Sequence, residues 1–224
     1  MTFPNAVIFD LDGTLIDSAP DLHIALNRLL DSDGRRELSL PEVIGMIGDG
    51  VPKLVERGYR ATGSVPDARE LVRCIERFGK DYEINATVKT RLFPAAVTVL
   101  QALTQANVKI GLCTNKPLLA TREILRIFEI GDYFQSVVGG DSLPGIRKPD
   151  TRHLLAVLEA LHVSPGQAVM VGDSANDIAV AKNTGVRAVA VSFGYCHGPV
   201  TELEADAIVD HFADLTDVLA GLAE

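Results

Sequence analysis

Tryptophan is absent from this sequence, and aromatic residues make up only 5% of its 224 positions. A core here must be packed by aliphatic side chains, which a hydrophobic fraction of 47% supplies amply. Cysteine is scarce as well. Cys74, Cys113 and Cys196 are far apart and odd in number, so they give neither a disulfide framework nor a zinc spacing. Reduced thiols in a cytoplasmic protein are expected. No basic run stands out, and the formal net charge is −9. That argues against a nucleic-acid groove and against an anionic-membrane surface. A small anionic substrate remains compatible, because a metal and one or two cations make a local positive site. No apolar segment reaches the length of a membrane span. The N-terminus enters an apolar strand directly, without the basic and apolar regions of a signal peptide. The histidines, His23, His153, His162, His197 and His211, have no metal spacing to one another. Oligomeric state is not readable.

What the sequence does have is VIFDLDGTLIDS at residues 7–18. Val7, Ile8 and Phe9 suit a buried strand. Asp10 and Asp12 follow immediately, with Asp17 nearby. Carboxylates gathered at the end of an apolar strand repel one another and lose hydration unless a cation or a reaction accounts for them.

The chain reads as two kinds of segment. Over residues 20–87, apolar residues recur at helical spacing, as in Leu22, Ala25, Leu26, Leu29 and Leu30, and again in Leu71, Cys74, Ile75, Phe78 and Tyr82. No convincing strand appears there. From about residue 90, short apolar runs alternate with helical patterns. Strands are predicted at 108–113, 134–138, 168–171, 188–191 and a last short one at 207–209. Helices are predicted at 94–106, 117–128, 150–161, 174–184 and 212–222. This alternation predicts an α/β fold with a parallel sheet. The helical stretch interrupts it after the first strand and reads as an inserted cap. The expected division is a core of residues 1–16 and 88–224, with a cap of residues 17–87.

In open α/β sheets, ligands bind beyond the carboxyl ends of the strands. Four sets of polar residues fall there: Asp10 and Asp12; Thr114, Asn115 and Lys116; Arg147, Lys148 and Asp150; and Asp173, Ser174, Asn176 and Asp177. Turns alone are rich in such residues, but all four sets suit one chemistry, phosphoryl transfer. Asp10, Asp12 and Asp173 suit Mg²⁺, which prefers hard oxygen ligands. Thr114 offers a hydroxyl to a phosphoryl oxygen and Lys148 a positive charge. An Asp can act as nucleophile, and a carboxylate two residues on can protonate the leaving oxygen and then activate water.

FDLDGT, a Thr-Asn after the second strand, a Lys-Pro and GDSANDI together resemble the motifs of the haloacid dehalogenase superfamily of aspartate-nucleophile phosphatases. The resemblance implies a Rossmann-like core with strand order 3-2-1-4-5 and a helical cap inserted after the first motif. It implies that Asp10 is the nucleophile and a Mg²⁺ ligand. Asp12 would be the general acid/base and lend its backbone carbonyl to the metal. Thr114 and Asn115 would hold the transferring phosphoryl group, and Lys148 would stabilise the charge shared by Asp10 and that group. Asp173 would ligate Mg²⁺, and Asp177 would orient the metal's waters or support Asp173. LIDSAPDLHIALNRLL and MIGDGVPKLVERGY are similar to stretches of the bacterial phosphoglycolate phosphatases, which implies 2-phosphoglycolate as substrate. Thr151 and Thr184 depart from that group, where Pro and Ala are usual. Phosphatases of sugar phosphates or nucleoside monophosphates and a β-phosphoglucomutase share the core chemistry. A dehalogenase needs no carboxylate at position 12. A silent phosphate-binding protein would keep the fold without turnover.

Other residues carry two readings each. Asp17 is a metal ligand or, with Ser18, the cap of the next helix. Gly48-Asp49-Gly50 is a plain turn or a backbone contact to substrate. Lys53 and Arg57 form a solvated helix face or a pair that recognises a carboxylate. His153 and His162 read as helix-surface residues, Cys113 as packing, and His197 as part of a loop near the site.

Overall fold

The computed structural model describes residues 3–222. The outermost residues of the expected core, 1–2 and 223–224, lie outside the described residues. Strand β1 (Ala6–Phe9) is fully buried and takes partners on both sides. It pairs in parallel with β4 (Lys109–Cys113) and with β6 (Ala168–Gly172), Phe9 standing opposite Leu112 and Val171. Beyond them lie β5 (Ser136–Val138) on one side, and β7 (Arg187–Val191) and β8 (Ala207–Val209) on the other. The sheet order is β5-β4-β1-β6-β7-β8, and every neighbouring pair is parallel. Counted as core strands, that is the expected 3-2-1-4-5 order with Ala207–Val209 added as a sixth.

Period-two alternation sends β1 side chains to opposite faces. Val7 and Phe9 join one apolar cluster, with α5 (Ala96–Gln105) and α9 (Leu215–Leu222). Ala6 and Ile8 join the other, with α7 (Thr151–Leu161) and α8 (Ala175–Thr184). The remaining core helix is α6 (Leu118–Ile127). Several expected boundaries shift, and the helix expected from residue 212 begins at Leu215, after a single 3-10 turn. The helix expected from Pro94 begins at Ala96, because Ala95 takes a left-handed φ of 66° just ahead of it. Phe134 and Gln135 stand outside the strand expected from residue 134, although the Gln135 N–H still bonds the Ile110 carbonyl at 2.9 Å.

Between β1 and the rest of the core stand α1 (Ala19–Ser32), α2 (Leu40–Ile44), α3 (Val51–Ala61) and α4 (Ala68–Asn85). Their apolar stripes close on one another, with Leu26, Leu30, Val55, Tyr59, Cys74 and Phe78 all buried. At the junction lies a feature the sequence pattern did not reveal. Ile16–Asp17 (β2) and Arg91–Leu92 (β3) form an antiparallel two-stranded ribbon through which both crossings run. Asp21 fastens the same junction. Its buried carboxylate accepts the backbone N–H groups of Lys89 and Thr90 and the Thr90 hydroxyl, at 2.8–3.0 Å. No helix among the described residues is long and apolar enough to cross a membrane.

Candidate active site

The carboxyl ends of β1, β4 and β6 place Asp10, Thr114 and Asp173 side by side, because these strands are neighbours in register. The Asp10 N–H bonds the Val171 carbonyl at 2.9 Å and the Thr114 N–H bonds Val138 at 3.0 Å, so the sheet ladder continues into both residues. Lys148 reaches in from the loop between β5 and α7. Its ammonium lies 2.8 Å from Asp10 Oδ1 and 2.5 Å from Asp177 Oδ1, and its side chain is 2% exposed.

Asp177 closes this group from the first turn of α8. Its second oxygen accepts the Ser174 N–H at 3.0 Å and the Ser174 hydroxyl at 2.6 Å, which completes a capping box. Asp173 accepts the Tyr195 N–H at 2.6 Å. Gly13 sits at φ 83°, and a Cβ there would lie 2.1 Å from Asp173 Oδ2, so the loop after β1 approaches as closely as it does only because that residue is glycine.

Oxygens of Asp10, Asp173 and Asp177 lie within 4.8 Å of one another, and all three residues are buried. Lys148 is the single ammonium set between Asp10 and Asp177. Asp10 Oδ1 is buried and accepts no hydrogen bond; Lys148 touches it as a charge, outside hydrogen-bond alignment. Burial pushes the Asp10 carboxyl up to about 7, with Lys148 pulling it down and Asp177 adding to the rise. Burial also holds Asp173 well above the usual carboxylate range, and the charges of Asp177 and Asp10 raise it further. Lys148 is drawn down by burial, but Asp10 and Asp177 outweigh that and hold it above its ordinary value. Three buried carboxylates against one ammonium leave an excess of negative charge, on hard oxygen donors. That donor set fits a Mg²⁺ ion.

The Asp12 carboxylate is turned away from this cluster. It accepts from the Ser18 hydroxyl at 2.5 Å and from Lys116 Nζ at 2.9 Å and 3.2 Å. Asn115 is a clamp: its amide donates to the carbonyls of Gly48 (3.0 Å) and Lys148 (3.1 Å), and its oxygen accepts the Lys148 N–H at 2.9 Å. It thus ties Lys148 to the loop that precedes α3.

A cavity of about 40 Å³ lies over Asp10, Asp12, Thr114 and Asp173, roofed by Leu22, Ile47, Val51 and Leu54. Gly48 and Gly50 line it. Asp49 instead lines a neighbouring cavity of about 300 Å³, together with Asn176, Cys196 and His197. The Asn176 amide donates to Asp49 at 2.7 Å. Lys53 and Arg57 line neither cavity. Lys53 is exposed and pairs with Glu56 at 2.9 Å, while Arg57 pairs with Asp49 and donates to the Met46 carbonyl at 2.8 Å.

Two readings of the sequence are corrected here. Neither Asp17 nor Ser18 caps α1, whose N-cap Ser18 makes no side-chain cap bond. The Tyr195 hydroxyl does so instead, accepting the N–H groups of Ser18 (2.7 Å) and Ala19 (2.9 Å) and donating to Asp17 at 2.6 Å. His153 is fully buried rather than on the surface, its ring bonding the Gly139 carbonyl at 3.0 Å and lying 3.5 Å from Cys113 Sγ. It stands on the inward stripe of α7 with Leu154, Val157, Leu158 and Leu161, a spacing visible in the sequence. Tyr195, Lys116 and Thr14, whose hydroxyl donates to Asp173 at 3.5 Å, are the site residues that sequence reasoning left without a role. Only Lys116, next to Thr114-Asn115, had a signal.

Comparison with known proteins adds an independent line. The family model for haloacid dehalogenase-like hydrolases matches residues 7–191. A phosphoglycolate phosphatase of Cereibacter sphaeroides is 43% identical over 216 residues, covering 96% of this chain and 98% of that protein. One of Rhodospirillum rubrum is 41% identical over 221 residues, covering 96% and 91%. A crystal structure described as a predicted phosphoglycolate phosphatase from Haemophilus somnus superposes with a TM-score of 0.91 at 32% identity, covering 97% of this chain and 99% of that one. With the aspartates of its strand ends gathered as above, the chain belongs to the haloacid dehalogenase-like hydrolases.

Proposed function

We propose that this enzyme is a Mg²⁺-dependent phosphomonoesterase that hydrolyses 2-phosphoglycolate to glycolate and phosphate through an aspartyl-phosphate on Asp10. The observation that carries the reading is the convergence of Asp10, Thr114, Lys148 and Asp173 at one edge of the sheet, with a cavity over Asp10, Thr114 and Asp173. The relatives named phosphoglycolate phosphatase, near 40% identity over almost the whole chain, support the substrate.

In the first half-reaction an Asp10 oxygen attacks phosphorus and the bond to the leaving oxygen breaks. Asp12 gives its proton to that oxygen, so glycolate departs neutral at the alcohol. The Thr114 hydroxyl and the backbone N–H of Asn115, adjacent at the end of β4, hold the phosphoryl group, the Asn115 side chain being taken up by its clamp on Lys148 and Gly48, and Lys148 keeps the Asp10 carboxylate in place for attack. In the second half-reaction Asp12 takes a proton from water, the water oxygen attacks phosphorus, and the Asp10–phosphorus bond breaks to release phosphate. Mg²⁺, held by Asp10, Asp173 and the Asp12 carbonyl with Asp177 in support, would neutralise phosphoryl charge beside the attacking carboxylate.

Helices α1–α4 form the cap, residues 17–87. The roof they supply excludes bulk water from the first half-reaction. The test is kcat/KM for Mg²⁺-dependent phosphate release across small phosphate esters. We expect 2-phosphoglycolate to lead by more than about tenfold and Asp10→Asn to abolish release. A lead by a sugar or nucleotide ester would overturn the substrate, and no release from any ester would overturn the activity.

A further inference from the structure

The proposed reaction leaves one buried ammonium without a role. The Lys116 side chain is 2% exposed, and it alone among the residues lining the cavity above Asp10 is a cation. Its Nζ contacts Asp12 Oδ1 at 2.9 Å and Oδ2 at 3.2 Å, and donates to the Tyr82 hydroxyl at 2.7 Å. A lysine ammonium has three N–H donors, and here it has three acceptors. The ammonium also sits 4.6 Å from the centre of the Tyr82 ring.

Tyr82 belongs to α4, whereas Lys116 and Asp12 belong to the core. Its ring stacks on Phe78 with centroids 5.6 Å apart, and the residue is 2% exposed. Burial pushes its hydroxyl up to about 12, against the pull of Lys116. A buried ammonium is costly unless its donors are matched. The seated α4 helix therefore supplies the acceptor that completes Lys116. Lys116 in turn stands two residues from Thr114, so whatever it holds is fixed relative to the phosphoryl site.

We propose that Lys116, completed by Tyr82, is the positioning residue for Asp12. It holds the Asp12 carboxylate at one place beside the reacting oxygen and makes that placement depend on α4 being seated on the core. When the phosphorus–oxygen bond breaks and the proton passes from Asp12 to the leaving oxygen, the carboxylate left behind forms beside the ammonium, which stabilises it as it develops. The competing role, binding the carboxylate of the substrate, is disfavoured because all three Lys116 donors are engaged. The inference rests on the phosphomonoesterase reading.

The experiment compares kcat/KM for two small esters in Lys116→Met, Tyr82→Phe and Asp12→Asn. The alkoxide of 2-phosphoglycolate needs a proton to leave; the acetate of acetyl phosphate does not. Because kcat/KM extends only to the first irreversible step, it isolates the first half-reaction. We expect Lys116→Met to lose about 10²-fold on 2-phosphoglycolate, with KM little changed, and less than about threefold on acetyl phosphate. Asp12→Asn shows the same contrast more strongly. Tyr82→Phe, which removes one oxygen and keeps the ring, shows it at about fivefold and carries the test if Lys116→Met does not fold. Equal losses on both esters in the Lys116 and Tyr82 variants would overturn the proposal, as would no contrast in Asp12→Asn. So would a rise in KM for 2-phosphoglycolate with kcat kept, which would make Lys116 a carboxylate-binding residue. If the wild type turns over a different alkyl phosphate instead, the substrate reading fails alone, and the comparison with acetyl phosphate runs on that ester.

Discussion

Lys148 faces two carboxylates at once, Asp10 and Asp177, with almost no water to share the charge. Lys148→Met would leave both buried and uncompensated. Breaking a buried pair in this way costs about 3–5 kcal/mol, which urea unfolding will read as a drop in stability without a change in m-value. A loss under about 1 kcal/mol would mean that water or relaxation reaches the site. Gly13 is constrained by geometry rather than charge. Gly13→Ala places a Cβ against Asp173 at a φ that L-residues avoid. On the proposed reading Asp173 holds the metal, and a misplacement of about 1 Å in a site costs about 10²-fold, so kcat is expected to fall by at least that much while the sheet still folds. Unchanged kcat would show that the loop relaxes freely.

At the scale of elements, the N-terminus of α1 depends on a residue 176 positions away in the chain, through the bond from the Ala19 N–H to the Tyr195 hydroxyl. Tyr195→Phe orphans two buried N–H groups and the Asp17 contact together. Unsatisfied buried donors cost about 1–3 kcal/mol, so the melting temperature should fall by several degrees, and Asp17→Asn should cost less because both N–H groups keep their acceptor. Most elements were legible because their apolar periods were strong: VKIGLC and AVMV read as buried strands, and the stripe in ALNRLL read as a helix. The β2–β3 ribbon was not legible. Two residues per strand carry no period, and the pairing of Ile16 with Leu92 joins segments separated by four helices. His153 was misread for the opposite reason. Its position in the stripe was plain, but a buried imidazole needs an acceptor, and the Gly139 carbonyl comes from another loop.

For the whole molecule, the carboxylate cluster couples folding to protons and, on the proposed reading, to Mg²⁺. Asp10 has its carboxyl raised from the usual 3.8 to about 7. Between those values the folded chain keeps a proton that the unfolded chain has lost. Without divalent ions, this site's contribution is therefore fully present below about pH 4 and is lost as pH rises through about 7. Asp10→Asn should flatten that part of the stability–pH curve in chelator; an unchanged slope would assign it to other groups. Mg²⁺ works in the opposite direction. At about 100 times its dissociation constant it should add about 2.7 kcal/mol, and Asp173→Asn should remove the gain.

Taken alone, the sequence determined the fold class, the order of elements and the four strand-end motifs, because local periodicity and residue spacing encode where carboxylates, hydroxyls and lysines meet a sheet edge. Asp10, Thr114, Lys148, Asp173 and Asp177 were all legible for that reason. The tertiary structure alone decided which cations face the cavity. Lys53 and Arg57 lie on α3 at a suggestive spacing, yet they pair with Glu56 and Asp49 beside them, and Lys116 stands at the cavity in their place. It also decided that Asn115 clamps Lys148 to the Gly48 loop and that Tyr195 caps α1. Each of these depends on two segments distant in sequence arriving within hydrogen-bond distance. Such a meeting is set by helix packing against the sheet, and no period within either segment records it.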